Sequence, residues 1–229
     1  MNFLQLVQRL RKECGVSGNG PTSVVGQTGT LDLLVNWTNS AWSEIQGLHD
    51  NWDFMRSPFS FEAAQGVGDY TTSGGPGVGA SIPDLRYWHK ETFRAQKTAF
   101  GLSDQQWLVE WDYQVFRDTY RFGVQTPGRP VVFAVSPFGK ALMLGSIPDA
   151  EYTITGEYQK LPADLVANDD VPSMPEHLHM AIVYKAMQSY GMFESASEVV
   201  ARGEAQYTRL INQLEREELP EVYLGDPLA

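Results

Sequence analysis

One cysteine, Cys14, stands in the whole chain. That excludes an internal disulfide and any metal cluster built on several thiolates. Positive charge is scarce as well: 17 Lys and Arg face 28 Asp and Glu, a formal net charge of −11. A protein that lives by gripping phosphates draws its affinity from clustered Lys and Arg, so this balance argues against that class. No stretch reaches the roughly 18 consecutive apolar residues that a bilayer span requires, and no membrane role is expected. The opening Met1-Asn2-Phe3-Leu4-Gln5-Leu6 is polar at every second or third position and has no apolar signal core. The expectation is a chain made and used without secretion. The Gly-x-Ser-x-Gly elbow that activates a serine is missing too.

What is present suits a globular protein. With 229 residues, 42% of them apolar, the chain can bury a substantial core as one large domain or two small ones. Phe3, Leu6, Val7, Leu10 and Cys14 recur at steps of three and four and predict a first helix, stopped by Gly15. A longer helix follows, with Thr28 or Thr30 as its cap and Asp32 in the first turn. Its stripe runs from Leu31 through Leu34, Thr38, Ala41, Trp42 and Ile45 to Leu48 and Trp52, and Pro58 ends it.

Between Pro58 and Pro172 the helical period fades and Gly and Pro become frequent. Residues 66–79 read as a glycine-rich loop. Leu85–Arg94, Pro130–Val135, Lys140–Leu144 and Glu151–Tyr158 read as strands, with Ser136-Pro-Phe-Gly139 turning the middle two into a hairpin. Ser103-Asp-Gln-Gln106 has capping-box spacing and predicts a short helix carrying Trp107, Leu108, Trp111 and Val115 on one side. Helices return at the end. Ser173-Met-Pro-Glu176 opens one that Gly191 breaks; Ser195-Ala-Ser-Glu198 opens another, with Val199, Val200, Gly203, Tyr207, Leu210, Ile211 and Leu214 on one stripe and Pro220 as its stop.

No helix buries a one-sided stripe alone. The expected fold is therefore α+β: a four-helix bundle formed by the N- and C-terminal helices (1–58 and 173–218), a β-rich insertion with one short helix (59–172), and an extended tail (219–229). Charge is uneven. Residues 1–58 hold four basic against five acidic side chains, 59–174 nine against 14, and 175–229 four against nine, so the last helix and tail are the most acidic for their length.

Candidate chemistry is thin. Gly75-Pro-Gly-Val-Gly79 resembles part of a phosphate cradle, but Pro76 removes an N–H and no helix pattern follows. Glu176-His177-Leu178-His179 looks metal-like, yet helical positions two apart point to different faces. Cys14 lies on an apolar stripe and reads as a small core residue. Glu110 and Asp112 show no mark of an acid–base pair. No catalytic, cofactor or metal residue is assigned, and the expected protein is not an enzyme. The aromatics Tyr87, Trp88, Phe93, Trp107, Trp111, Tyr113 and Tyr120 read chiefly as packing for the β-rich part. An alternative from the same residues is a receptor- or glycan-binding tail module, and a hydrolase using His177 or His179 is a third class.

Many short blocks, in order, carry a resemblance. The opening Phe3-Leu-Gln-Leu-Val-Gln-Arg-Leu10 leads to Gly15-Val-Ser-Gly-Asn-Gly-Pro21, Gly26-Gln-Thr-Gly29, Leu34-Val-Asn-Trp37 and Ala41-Trp-Ser-Glu-Ile-Gln46. Tyr120-Arg-Phe-Gly123, Thr126-Pro-Gly-Arg-Pro130, Val135-Ser-Pro137 and Ile154-Thr-Gly-Glu-Tyr158 follow. Met174-Pro-Glu176, His179-Met-Ala-Ile-Val-Tyr184 and Leu214-Glu-Arg-Glu-Glu-Leu-Pro-Glu-Val222 close the series. The chain resembles the head-to-tail adaptor proteins of tailed bacteriophages over nearly its whole length. The resemblance implies a virion component made in the host cytoplasm: a homo-oligomeric, typically dodecameric ring that meets the portal protein on one side and tail or nozzle proteins on the other. DNA would be transient cargo in its channel. Leu219, Val222, Tyr223, Leu224 and Leu228 are the expected partner-binding residues of the tail.

Overall fold

The computed structural model describes residues 1–72 and 81–220 and is a mixed α+β protein of five helices and two sheets. The chain divides into two compact units, Met1–Met55 with the chain from Pro162 onward, and Arg56–Leu161.

Five helices are present among the described residues: α1 (Phe3–Glu13), α2 (Thr30–Leu48), α3 (Tyr113–Tyr120), α4 (Met180–Phe193) and α5 (Ser197–Glu218). All but α3 lie in the first unit and share one apolar core. Phe3, Leu6, Val7 and Leu10 of α1 are buried there with Leu34, Ala41, Trp42 and Ile45 of α2. α4 packs against α1, α2 and α5, and its buried Ala181, Ile182, Val183, Ala186 and Met187 account for the breadth of its apolar face. α1 starts on a capping box: the Asn2 side chain accepts from the Gln5 N–H, and the Gln5 side chain accepts from the Asn2 N–H.

Several boundaries differ from expectation. α2 begins after Gly29, with no side-chain cap from a threonine, and ends at Leu48, where His49 turns extended. Trp52 is fully buried outside the helix, and its indole N–H donates to the Ile45 carbonyl oxygen at 2.9 Å. Pro58 lies in a strand rather than at a helix end. Gly191 does not break α4; it sits inside the last turn, close against Val200 and the Ala196 carbonyl oxygen. Neither α4 nor α5 has a side-chain cap, and Glu176–Leu178 form a 3-10 turn before α4. Residues 162–172 were expected with the β-rich part, but they pack on the helices. The Ala163 carbonyl accepts from Trp42 and Gln46, the Leu165 N–H donates to Asn39, and the carbonyls of Asn168 and Asp170 accept from Leu4 and Phe3.

The second unit holds eight strands among its described residues: β1 (Arg56–Ala63), β2 (Asp69–Tyr70), β3 (Leu85–Lys97), β4 (Gln106–Trp107), β5 (Val109–Glu110), β6 (Val132–Val135), β7 (Leu142–Gly145) and β8 (Tyr152–Lys160). One sheet has the order β1-β8-β3-β4 and the other β2-β7-β6-β5; all pairings are antiparallel except β5 with β6. In β8, Tyr152, Ile154 and Tyr158 are buried while Thr153, Thr155 and Glu157 face away, the alternation of a strand with one face on a core. Phe59, Phe93 and Ile154 of the first sheet and Phe133, Leu142 and Leu144 of the second fill one cluster.

The short helix lies about ten residues later than the Ser103 spacing suggested. Ser103 and Asp104 sit in a 3-10 turn, Gln106 and Trp107 pair with Ala95 and Arg94, and α3 starts after Asp112, whose carboxylate accepts from the Gln114 and Val115 N–H groups. Ser103, the expected cap, donates its hydroxyl to the Phe100 carbonyl oxygen (2.9 Å), while its neighbour Asp104 accepts from the Lys97 N–H (2.7 Å) and the Arg129 guanidinium (2.8 and 2.9 Å) and ties this turn to β3 and a distant arginine. Those bonds hold the Asp104 pKa below the usual carboxylate value.

Candidate interaction surfaces

The residues singled out for chemistry are dispersed. The His177 ring meets the Glu217 carboxylate of α5 at 2.9 Å. His179 is buried, donating from Nε2 to the Met174 carbonyl oxygen (3.0 Å), with Nδ1 2.8 Å from the Met1 amino group. Among the described residues no three His, Cys, Asp or Glu side chains converge to hold a metal ion. Glu110 pairs with Lys90, while Asp112 is the α3 cap. Asp170, next to Asp169, accepts from the N–H groups of Val166 and Ala167 and so shapes a turn. Cys14 is partly buried, and burial pushes its thiol up to about 12, far from a reactive thiolate. Gly75–Gly79 lie outside the described residues.

Buried titratable groups give the fold a pH window. Burial holds His179 below its ordinary value of 6.5. The unfolded chain therefore takes that proton first, and stability falls as the pH drops below 6.5. At the other end, burial raises Tyr70 and Tyr207 to about 12 and moves Tyr152, Tyr158 and Tyr190 upward. The folded state keeps those protons longer than the unfolded chain, so their stabilisation is complete below the ordinary value of 10.0 and is lost above it. In an alkaline titration, phenolate absorbance from these five tyrosines should appear together with the loss of far-UV circular dichroism. Their ionisation in a chain that stays folded would contradict this.

Surface for contact is more abundant than chemistry. On the β-rich unit, Phe100, Leu102, Trp107, Val109 and Val131 are exposed, as are Phe122, Val124 and Phe138 in the turns. On the helical unit, Met192 and Phe193 protrude at the end of α4, where Phe193 touches Trp37 (ring centroids 5.4 Å apart). Of the expected tail contacts, Leu219 packs against the core of its own helices. Val222, Tyr223, Leu224 and Leu228 lie outside the described residues. Of the seven aromatics, Trp88 and Phe93 belong to the core of the β-rich unit, and Trp107 is exposed.

Exposed apolar side chains on each unit are available for contact with other chains. The family model for the SU10 adaptor protein matches residues 1–224, and the chain belongs to that family, a family of phage head-to-tail adaptors. The family is structural rather than enzymatic, its members associate with other phage head and tail proteins, and its place is the virion. No curated protein matches the chain. Among the described residues, no helix is long and apolar enough to cross a membrane.

Proposed function

We propose that copies of this chain form a dodecameric ring below the portal, join the capsid to tail or nozzle proteins, and leave a channel through which DNA passes. The observation that carries this reading is the family match, which takes in both units from residue 1 to 224. In this reading the helices act as a four-helix bundle and the β-rich part as its insertion. The contacts of such a ring are heterologous, so each subunit must present two different faces. Exposed apolar side chains on both units supply material for them. The net charge of −11 suits a channel, because a lining of the same sign as DNA lets it slide without sticking. Projection imaging of the protein mixed with portal particles is the test. A ring of fixed symmetry stacked on the portal is expected; free subunits beside bare portals would overturn the reading.

The tail is the second part of the proposal. Val222, Tyr223, Leu224 and Leu228 dock on the portal or on a neighbouring subunit; Leu219, already packed on its own helices, only anchors the segment. Removing residues 221–229 should abolish co-sedimentation with portal particles and leave thermal unfolding unchanged. Undiminished co-sedimentation would remove the tail from the interface.

A further inference from the structure

Trp107 is the exposed one among six tryptophans: Trp42, Trp52 and Trp88 are buried, Trp37 and Trp111 half-buried, and Trp107 is 57% exposed. Leaving so large an apolar ring in water forgoes much of its burial energy. Its position is nonetheless fixed. β4 holds its backbone opposite Arg94, and the Arg94 guanidinium lies 4.1 Å from the ring centroid, covering one indole face. Arg94 is itself oriented by donating to the Gln105 side-chain oxygen at 3.3 Å.

The ring borders a groove of about 550 Å³ edged by Pro58, Ser60, Thr92, Arg94, Thr155 and Glu157. Ser60, Thr155 and Glu157 alternate with the core-facing Phe59, Ile154 and Tyr158, so the groove runs over the outer face of the first sheet. Thr92 fixes the irregularity in β3 there: its hydroxyl donates to the His89 carbonyl oxygen and accepts from the Glu157 N–H at 2.9 Å. Ser60 and Thr155 stand opposite each other in register, and neither hydroxyl has a hydrogen-bond partner among the described residues. Glu157 is joined to Arg56, so the groove presents a neutralised pair.

We propose that this groove binds a neutral saccharide of one or two pyranose rings stacked on Trp107. The C–H face of a pyranose carries slight positive charge and lies well on the negative face of an indole. Its hydroxyls both donate and accept, matching the Ser60 and Thr155 hydroxyls and the Glu157 oxygens. Arg94 turns a cation away, and a purely apolar ligand strands the Ser60 and Thr155 hydroxyls and the Glu157 carboxylate. The groove volume falls within the ordinary range for small-ligand sites.

Saturation-transfer-difference NMR on the full chain, with maltose, lactose and N,N′-diacetylchitobiose as probes, is the test. Transfer to the ring protons of at least one probe is expected, with a shift of the Trp107 indole N–H resonance. Trp107→Ala removes an exposed ring; it should leave thermal unfolding in place and weaken binding roughly tenfold or more. The double change Ser60→Ala with Thr155→Val keeps the stacking platform and should weaken binding several-fold. No transfer to any of the three probes, or transfer undiminished in Trp107→Ala, overturns the proposal. A change in sedimentation of Trp107→Ala without sugar also overturns it, by assigning the ring to contact with a second copy.

Discussion

Phe93→Ala should lower the unfolding free energy of the β-rich unit by about 3–5 kcal/mol. The measurement is denaturant unfolding followed by tryptophan fluorescence. The Phe93 ring is completely buried. It stacks on Phe133 of the other sheet with centroids 4.6 Å apart, and meets Phe59 at 5.1 Å and Trp88 at 5.6 Å edge to face. One side chain thus ties both sheets together. Gly156 makes room for it, since a Cβ there would come within 2.6 Å of the Phe93 ring and 2.8 Å of Phe59. The hole left by alanine cannot close by simple collapse, because β3 is fixed by pairing with β8 along one edge and β4 along the other. A poorly relaxing site belongs to the upper part of the range. Against a total of about 5–15 kcal/mol for a typical domain, that loss brings the unit near to unfolding. Phe100→Ala, at a ring 64% exposed, is the control and should change stability by no more than about 0.5 kcal/mol. A loss below about 1 kcal/mol for Phe93→Ala would mean that the two sheets do not depend on this contact.

The helices of the first unit were legible wherever one-sided burial set the period. Phe3, Leu6, Val7 and Leu10 are all buried on α1, and Leu210, Ile211 and Leu214 on α5. Reading failed where a residue of the right type at the right spacing answers to a distant partner. Trp52 continues the α2 stripe by spacing, but it reaches the core by folding back onto the Ile45 carbonyl. Ser103 has a cap's position, but its hydroxyl turns back to the Phe100 carbonyl, and Arg129, 25 residues beyond Asp104, takes the neighbouring carboxylate. Residues 162–172 have no period at all; their place is set by backbone bonds to α1 and by side chains of α2, neither of which leaves a mark in the local sequence. The candidate site behaves likewise. The abundance of aromatics between Tyr87 and Tyr120 was visible, but which of them meets water depends on the register of the two-residue strand β4 against β3. A one-residue slip would have turned Trp107 to the other face.

Gly203→Leu should destabilise the helical unit by about 3 kcal/mol, although leucine is a far better helix former than glycine. Gly203 is buried in the middle of α5, where glycine is unfavourable by about 1 kcal/mol on propensity alone. Its value is proximity. A Cβ at this position would stand 2.9 Å from the Tyr184 carbonyl oxygen and 3.2 Å from the Met187 Cβ of α4. The carbonyl is helix backbone and cannot step aside as a flexible side chain would. The added atoms must therefore push α4 and α5 apart, loosening Leu210, Ile211 and Leu214 from the core that α4 organises. Gly203→Ala separates the two effects. Propensity favours it by about 1 kcal/mol and overpacking opposes it by about 1–3 kcal/mol, so a net loss near 1 kcal/mol is expected. Gly47→Ala in α2 supplies the opposite sign. Nothing beyond its own turn of helix lies within 4 Å of a Cβ built there, so only propensity acts, and a gain of about 0.5–1 kcal/mol is expected. Thermal unfolding by far-UV circular dichroism checks the three together. If Gly203→Ala raised the midpoint as Gly47→Ala does, the close approach of α4 and α5 would not be what keeps glycine at position 203.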